Sequence, residues 1–327
     1  MTLFYLRIIV LIATTLYQAI ACWLEDCTPP PGQRVDIGGY HLHYVTAGTG
    51  YPTIVVDHSL GGVEGYLLLE ELAKLSRVCI YDRAGFGWSD ISPYPRTSNQ
   101  IVTELDTMLT RAGLEPPYIL VGNSFGSYNM RLYAHRFPEK VMGLVLTDGL
   151  HESRMLQMGL ALKGLQLFFI SGFLMSIFGS GLGLIRVMNL LGVFELIKPE
   201  LRNFSTASLQ PVKRSFCRPK HWLTMTQEIL NLTTSGRQMF CANNLQNLPI
   251  VSIKAQSFFK VSLITALIPL KAANQLREQI QLELIKLSTN CIQLDAENSG
   301  HFVWIDQPDV ITKAVKLLLK SVNENNH

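Results

Sequence analysis

The segment Gly122-Asn123-Ser124-Phe125-Gly126 holds one serine between two glycines, directly after the apolar run Tyr118-Ile119-Leu120-Val121 and ahead of a helical-looking stretch, residues 127–137. A tight strand-to-helix turn at this point strains the middle residue and projects its side chain from the carboxyl edge of a sheet. Flanking glycines fit such a turn, because a Cβ at either position would strike the neighbouring strand or helix. The same turn aims the backbone N–H of Phe125, which has no partner at a helix start, at whatever is bonded to Ser124 Oγ. Ser124 is therefore the candidate nucleophile and the Phe125 amide one half of a candidate oxyanion hole.

A serine hydroxyl is inert near neutral pH without a base. Of the eight histidines, His301 stands in "AENSGHFVWIDQP", just after the last apolar strand, which predicts a loop at the same carboxyl edge as Ser124. Gly300 frees the backbone there. An acid must fix the tautomer and stabilise the imidazolium. The strand "VSIKA" is followed by no Asp or Glu between Ala255 and Arg277. The earlier strand ends in "LVLTDG", which supplies Asp148. Ser124 and Asp148 then end two strands joined by one helix, neighbours roughly 4.8 Å apart and within reach of one imidazole. Glu297 and Asp295, close to His301 in sequence, are the alternative acids. The second oxyanion donor is expected in "VVDHSLGG", from the backbone N–H of Leu60, with His58 bracing that loop. In "YDRAGFGWSD", residues 81–90, the glycines permit a tight turn and Asp82 and Arg83 hold neighbouring loops.

These side chains must be positioned by a sheet, and the chain predicts one. "RVDIGGYHLHYVTAG" alternates about a Gly-Gly turn as a hairpin does. "PTIVVDH", "VCIYD", "YILVG" and "VMGLVLTD" are short apolar runs typical of strands buried on both faces. "VEGYLLLEELAKL" and "IVTELDTMLTRAG" have helical spacing, the second stopped by Gly113. Strands alternating with helices imply a mostly parallel sheet flanked by helices, an α/β fold. The boundaries read as an N-terminal segment (1–26), a linker (27–34) containing "CTPPPG", a first core stretch (35–150), a helical cap insert (151–247) and a second core stretch (248–327). Within the insert, residues 165–185 carry no charge. A cap over the sheet edge is preferred to a second membrane span, because Gly172, Gly179, Gly181 and Gly183 make a poor stand-alone helix.

The 327 residues are 48% hydrophobic and 16% charged, too apolar for disorder, and a net charge of +3 gives no basic field for nucleic acid. No P-loop, metal-ligand spacing or internal repeat is present, so neither cofactor nor metal is expected. Ile8 to Leu24 is uncharged, between Arg7 and Glu25-Asp26. Its seventeen residues are the lower limit for a spanning helix and slightly long for a signal-peptide core. Arg7 would keep the short end cytoplasmic and place the rest of the chain across the membrane. A lipoprotein or other cleaved signal is the alternative, because Ala19-Ile20-Ala21-Cys22 loosely resembles a lipobox. A buried first helix is a third reading. Of six cysteines, Cys79 reads as core packing, while Cys217 and Cys241 could pair in an oxidising space.

With "DHSLGG", "YDRAGFGWSD", "VGNSFGS" and "NSGHFVWIDQP" in hand, residues 29 to 320 resemble the α/β-hydrolase fold family, and most closely a bacterial group carrying an N-terminal membrane helix. The resemblance implies Ser124 as nucleophile, His301 as base, and Leu60 and Phe125 as amide donors. Asn123 stands where histidine is commoner, and Ser59 where glycine is usual. A serine at the elbow argues against the carboxylate-based dehalogenases and epoxide hydrolases of similar fold. The expected function is membrane-associated cleavage of a small carboxylic ester with an apolar acyl part. The alternatives are a catalytically silent binding or scaffold protein, and an amidase, lactonase or acyltransferase on the same residues. Nothing in the sequence addresses oligomeric state.

Overall fold

The apolar runs join into one eight-stranded sheet in the computed structural model, which describes residues 1–258 and 270–325. Residues 259–269, within the expected second core stretch, and 326–327 lie outside the described residues. The strands are β1 (Gln33–Asp36), β2 (His41–Ala47), β3 (Thr53–Asp57), β4 (Val78–Asp82), β5 (Tyr118–Asn123), β6 (Val141–Thr147), β7 (Ile250–Ala255) and β8 (Cys291–Ala296), in the order β1-β2-β4-β3-β5-β6-β7-β8. β1 and β2 form the antiparallel hairpin about Gly38 and Gly39, and β2 runs antiparallel to β4. Every pair from β4 to β8 is parallel. Chain order reverses about β3, and in open sheets of this kind ligand crevices form at the strand carboxyl ends beside such a reversal.

The helices in chain order are α1 (Thr2–Asp26), α2 (Leu69–Leu72), α3 (Ser98–Arg111), α4 (Gly126–Arg136), α5 (Glu152–Met155), α6 (Leu160–Gly181), α7 (Leu184–Leu190), α8 (Val193–Ile197), α9 (Thr206–Phe216), α10 (Pro219–Leu230), α11 (Leu232–Gln238), α12 (Leu270–Leu284), α13 (Val303–Asp306) and α14 (Pro308–Asn325). β3, β4 and β5 are buried at every residue because apolar layers cover both faces. One layer buries Leu105 of α3, Tyr128 and Leu132 of α4 and Ile280 of α12. The other buries Leu72 of α2, Trp304 of α13 and Ile311 and Val315 of α14. Each such side chain contributes about 1.5–3 kcal/mol of burial, which makes the sheet a stiff platform for its rim.

Two sequence expectations change in detail. The helix expected over "VEGYLLLEELAKL" is split into a 3-10 turn (Glu64–Leu67) and the short α2. Gly65 there packs against the His58 ring, and the Glu64 carboxylate turns back onto the Ser59 amide. Cys217 and Cys241 do not pair. Cys217 is buried at the end of α9, where its carbonyl accepts from Gln18 of α1, whereas Cys241 is exposed in a 3-10 turn.

The insert between β6 and β7 is helical, from α5 to α11. α6 runs unbroken through Gly172, which faces open space, and stops before Gly183, whose φ is +79°. It packs along α10 over the carboxyl edge of the sheet. Both α1 and α6 are long and apolar enough to cross a membrane.

Candidate active site

The chain turns from β5 into α4 at Ser124, whose φ is +48°. This left-handed conformation is costly for a side-chain-bearing residue and marks a site held by its surroundings. An ideal Cβ at Gly122 would sit 2.7 Å from the Gly126 carbonyl oxygen, and one at Gly126 would sit 2.6 Å from that of His58. The two glycines thus let β5 and α4 fold tightly against each other and against the end of β3. Ser124 donates its backbone N–H to Thr147 O at 2.9 Å, tying the turn to β6.

β6 pairs with β5 through Asn123 and Thr147, so Asp148 emerges beside Ser124. His301, on the loop after β8, lies between them. Its Nε2 is 2.9 Å from Ser124 Oγ and its Nδ1 is 2.6 Å from Asp148 Oδ2. An ionised carboxylate only accepts, so Nδ1 carries the proton and Nε2 is left to accept from the serine hydroxyl. Phe258 stacks on the imidazole at 5.2 Å between ring centroids, and its carbonyl accepts from the His301 amide. An imidazole held this way is able to take the hydroxyl proton as the oxygen attacks an electrophile.

The alternative acids are elsewhere. Asp295 and Glu297 are both exposed, and Asp295 accepts from Gln293. The end of β7 and α12 instead hold Asp148. Ala255 donates its amide to Oδ1 at 3.3 Å, and Arg277 of α12 donates Nε to the same oxygen at 2.9 Å. Asp148 itself has φ +40°.

The loop after β3 brings Leu60 to the same place. Among the described residues, the backbone N–H groups of Leu60 and Phe125 have no partner, and both residues line one cavity with Ser124. The departure at Ser59 is accommodated by other contacts. Ser59 N–H donates to Glu64, and the carbonyls of His58 and Ser59 accept from Arg83 at 2.9 and 2.8 Å. His58 braces the loop, donating Nε2 to Tyr81 O at 2.7 Å and accepting the Gly65 amide on Nδ1. Arg83, fully buried, also binds Asp57 and Glu228 of α10. Burial pushes the Asp57 carboxyl up, but Arg83, His58 and Asn129 together outweigh it and hold the group below its usual range. At Glu228 burial wins, and the carboxyl is raised. One guanidinium therefore locks the loop of Leu60 to the helical insert.

Arg277, Glu228 and Phe258 escaped sequence reasoning. Nothing in their spacing distinguishes them, since each acts on a partner far along the chain. The cavity over Ser124 measures about 350 Å³, within the range of small-ligand sites. Leu165, Phe169 and Phe173 of α6, Met225 of α10 and Leu276 of α12 line it beside His301. Among the described residues no cluster of His, Cys, Asp or Glu is suited to a metal.

A family model of the alpha/beta hydrolase fold matches residues 52–169, from the start of the β3 strand through the elbow and into the insert. The chain has the α/β-hydrolase fold. The chain is 25% identical over 276 residues to an AB hydrolase superfamily protein of Gibberella zeae, covering 77% of this chain and 80% of the relative. It is 26% identical over 121 residues to an uncharacterized protein, YbdG, of Bacillus subtilis, spanning 36% of this chain and only 37% of that relative. Among solved structures, the epoxide hydrolase CorEH superposes with a TM-score of 0.65 at 17% identity, over 89% of this chain and 98% of CorEH. A thermophilic esterase from Thermogutta terrifontis superposes with a TM-score of 0.60 at 18% identity, over 89% and 99% of the two chains. These superpositions are likenesses of fold.

Proposed function

We propose that this α/β hydrolase is a membrane-associated serine hydrolase that cleaves carboxylic esters with an apolar acyl part. The observation that carries the reading is the line of short hydrogen bonds from Ser124 through His301 to Asp148, opening into an apolar cavity. In the reaction, Ser124 Oγ attacks the ester carbonyl carbon while His301 Nε2 takes its proton. The Phe125 and Leu60 amides face the oxygen that becomes negative. Collapse breaks the ester C–O bond, and His301 returns the proton to the leaving alcohol. Water, deprotonated by the same imidazole, then attacks the acyl-enzyme and releases the acid. Asp148 stays ionised and stabilises the imidazolium.

The scaffold alternative drew on the missing acid after β7, and Asp148 beside His301 supports the catalytic reading over it. The esterase likeness of fold agrees with the ester reading. The long apolar α1 supports membrane association. A panel of p-nitrophenyl esters from acetate to laurate tests the reading on the full chain in detergent micelles. Turnover should rise with acyl length and fall at least about 10³-fold in Ser124→Ala. Turnover unchanged in Ser124→Ala, or absent for every ester, would overturn it.

A further inference from the structure

α6 is apolar on two opposite faces. Leu165, Phe169 and Phe173 look inward and line the cavity over Ser124. Leu167, Phe168, Leu174, Met175 and Phe178 recur at helical spacing on the other side and are exposed, Leu167 and Met175 by 67% and 74%. A cap helix facing water would carry its polar residues there. The exposed apolar surface continues onto the neighbouring α7 and α8, at Leu190, Leu191 and Leu196. Patches of this kind mark interaction surfaces.

The helix α1 says what covers it. Its second half lies along the insert by one face. Gly183 of the insert meets the Thr14 carbonyl so closely that a side chain there would strike it. Gln18 donates to Cys217 O at 2.7 Å and accepts from Arg186 at 2.6 Å. Glu25 pairs with Arg186 and Arg218, and Asp26 with Arg214 and Arg218. Gln18 and Arg186 are buried between α1 and the insert and Glu25 is half-buried there, while Asp26, at the helix end, is exposed. The outer face of the same stretch exposes Leu16, Tyr17, Ile20, Trp23 and Leu24.

The uncharged run Ile8–Leu24 is about 25 Å long at 1.5 Å per residue, close to the thickness of a hydrocarbon core. Its docked part, from Thr14 to Leu24, is about 16 Å of that length. α1 therefore cannot enter a bilayer along its apolar run without carrying the adjoining face of the insert in with it. The internal pairing of Arg186 and Gln18 is the arrangement such immersion requires.

We infer that the outward face of α6 to α8, together with the outer face of α1, is a bilayer-docking surface, and that the cavity on the inner side of α6 takes its acyl chain from a lipid ester resident in that bilayer. The second clause rests on the esterase reading; the first does not. Two arms separate them, both on the full chain in phosphatidylcholine nanodiscs. In the first, Met175→Trp adds an emitter to the outer face of α6, and lipids brominated on the acyl chain should quench the added emission. Absence of quenching overturns the docking surface, and if dimers also persist in detergent the face belongs to a second copy of the chain. In the second, the double variant Leu167→Glu, Met175→Glu should hydrolyse soluble p-nitrophenyl acetate within about twofold of the unaltered protein. It should lose more than about tenfold on diacylglycerol embedded in the nanodisc. Equal rates on both substrates, or equal losses, overturn bilayer delivery. If the unaltered protein cleaves neither ester, the esterase reading and bilayer delivery fail, and the quenching arm alone decides the docking surface.

Discussion

Arg277 donates Nε to Asp148 Oδ1 at 2.9 Å, while His301 Nδ1 sits 2.6 Å from the other oxygen of the same carboxylate. The buried acid is thus shared between a permanent cation and the imidazole. Arg277 also donates to the Ala255 carbonyl, so it pins Asp148 to the end of β7.

Removing that cation should change both position and charge. In Arg277→Met, Asp148 loses a brace and kcat should fall about 10- to 100-fold with KM little altered. Arg277→Lys should recover part of the rate. An unaltered kcat in Arg277→Met would show that the guanidinium plays no part in positioning Asp148.

The elbow tolerates no Cβ at residue 126. Gly126→Ala would place a methyl carbon 2.6 Å from His58 O and 2.9 Å from Asp57 O, both backbone atoms fixed by Arg83 and β3. Either the elbow or the loop of Leu60 must shift, and a displacement near 1 Å costs about 100-fold in rate. Ester turnover should drop by about that factor while circular dichroism keeps its helix and strand content. Full activity would mean that the turn is looser than these contacts imply.

Arg83 joins three elements, so its loss should be felt in stability as well as rate. Arg83→Met leaves Asp57 and Glu228 buried without their shared cation, at a cost of about 3–5 kcal/mol. Glu228→Gln, which keeps Asp57 as counter-charge, should cost less. Denaturant midpoints in detergent for the two variants give the ordering, and equal midpoints would contradict it.

Acid should destabilise the fold through His221. Burial pushes its imidazole down from its ordinary value to about 3; the ring packs against Phe86 and Phe216 with Nδ1 on Ser215. Above about pH 6.5 folded and unfolded chains both hold it neutral. Below that the unfolded chain binds a proton that the folded chain refuses, down to about pH 3. Stability is therefore lost as pH falls through this window, by about 1.4 kcal/mol per pH unit from this group. Thermal scans from pH 7 to 4.5 should show a shallower decline in His221→Gln than in the unaltered protein. Parallel declines would assign the acid sensitivity elsewhere.

How much of this was legible in the residues follows from the range over which each signal acts. The elbow was legible because strand, glycine, serine and helix are contiguous, and the β5–β6 neighbourhood of Ser124 and Asp148 followed from one intervening helix. The loop position of His301 followed from its place after the last strand. The supports of these groups were not legible. Arg277 reaches Asp148 across 129 positions, and Glu228 reaches Arg83 across 145. Periodicity carries no trace of such pairs. The glycines of α6 disfavour a stand-alone helix, and the preferred reading as a cap agrees with its course: α6 runs unbroken through Gly172 where it packs along α10, which overrides intrinsic propensity. The suggested link between Cys217 and Cys241 failed because shared membership of an insert says nothing about distance.

The most direct test is covalent labelling of the full chain with a fluorophosphonate, followed by peptide mass spectrometry. The account predicts one adduct, on the peptide containing Ser124, strongly slowed in His301→Ala and Asp148→Asn and absent in Ser124→Ala. An adduct on another residue, or labelling that persists without the Ser124 hydroxyl, would contradict it.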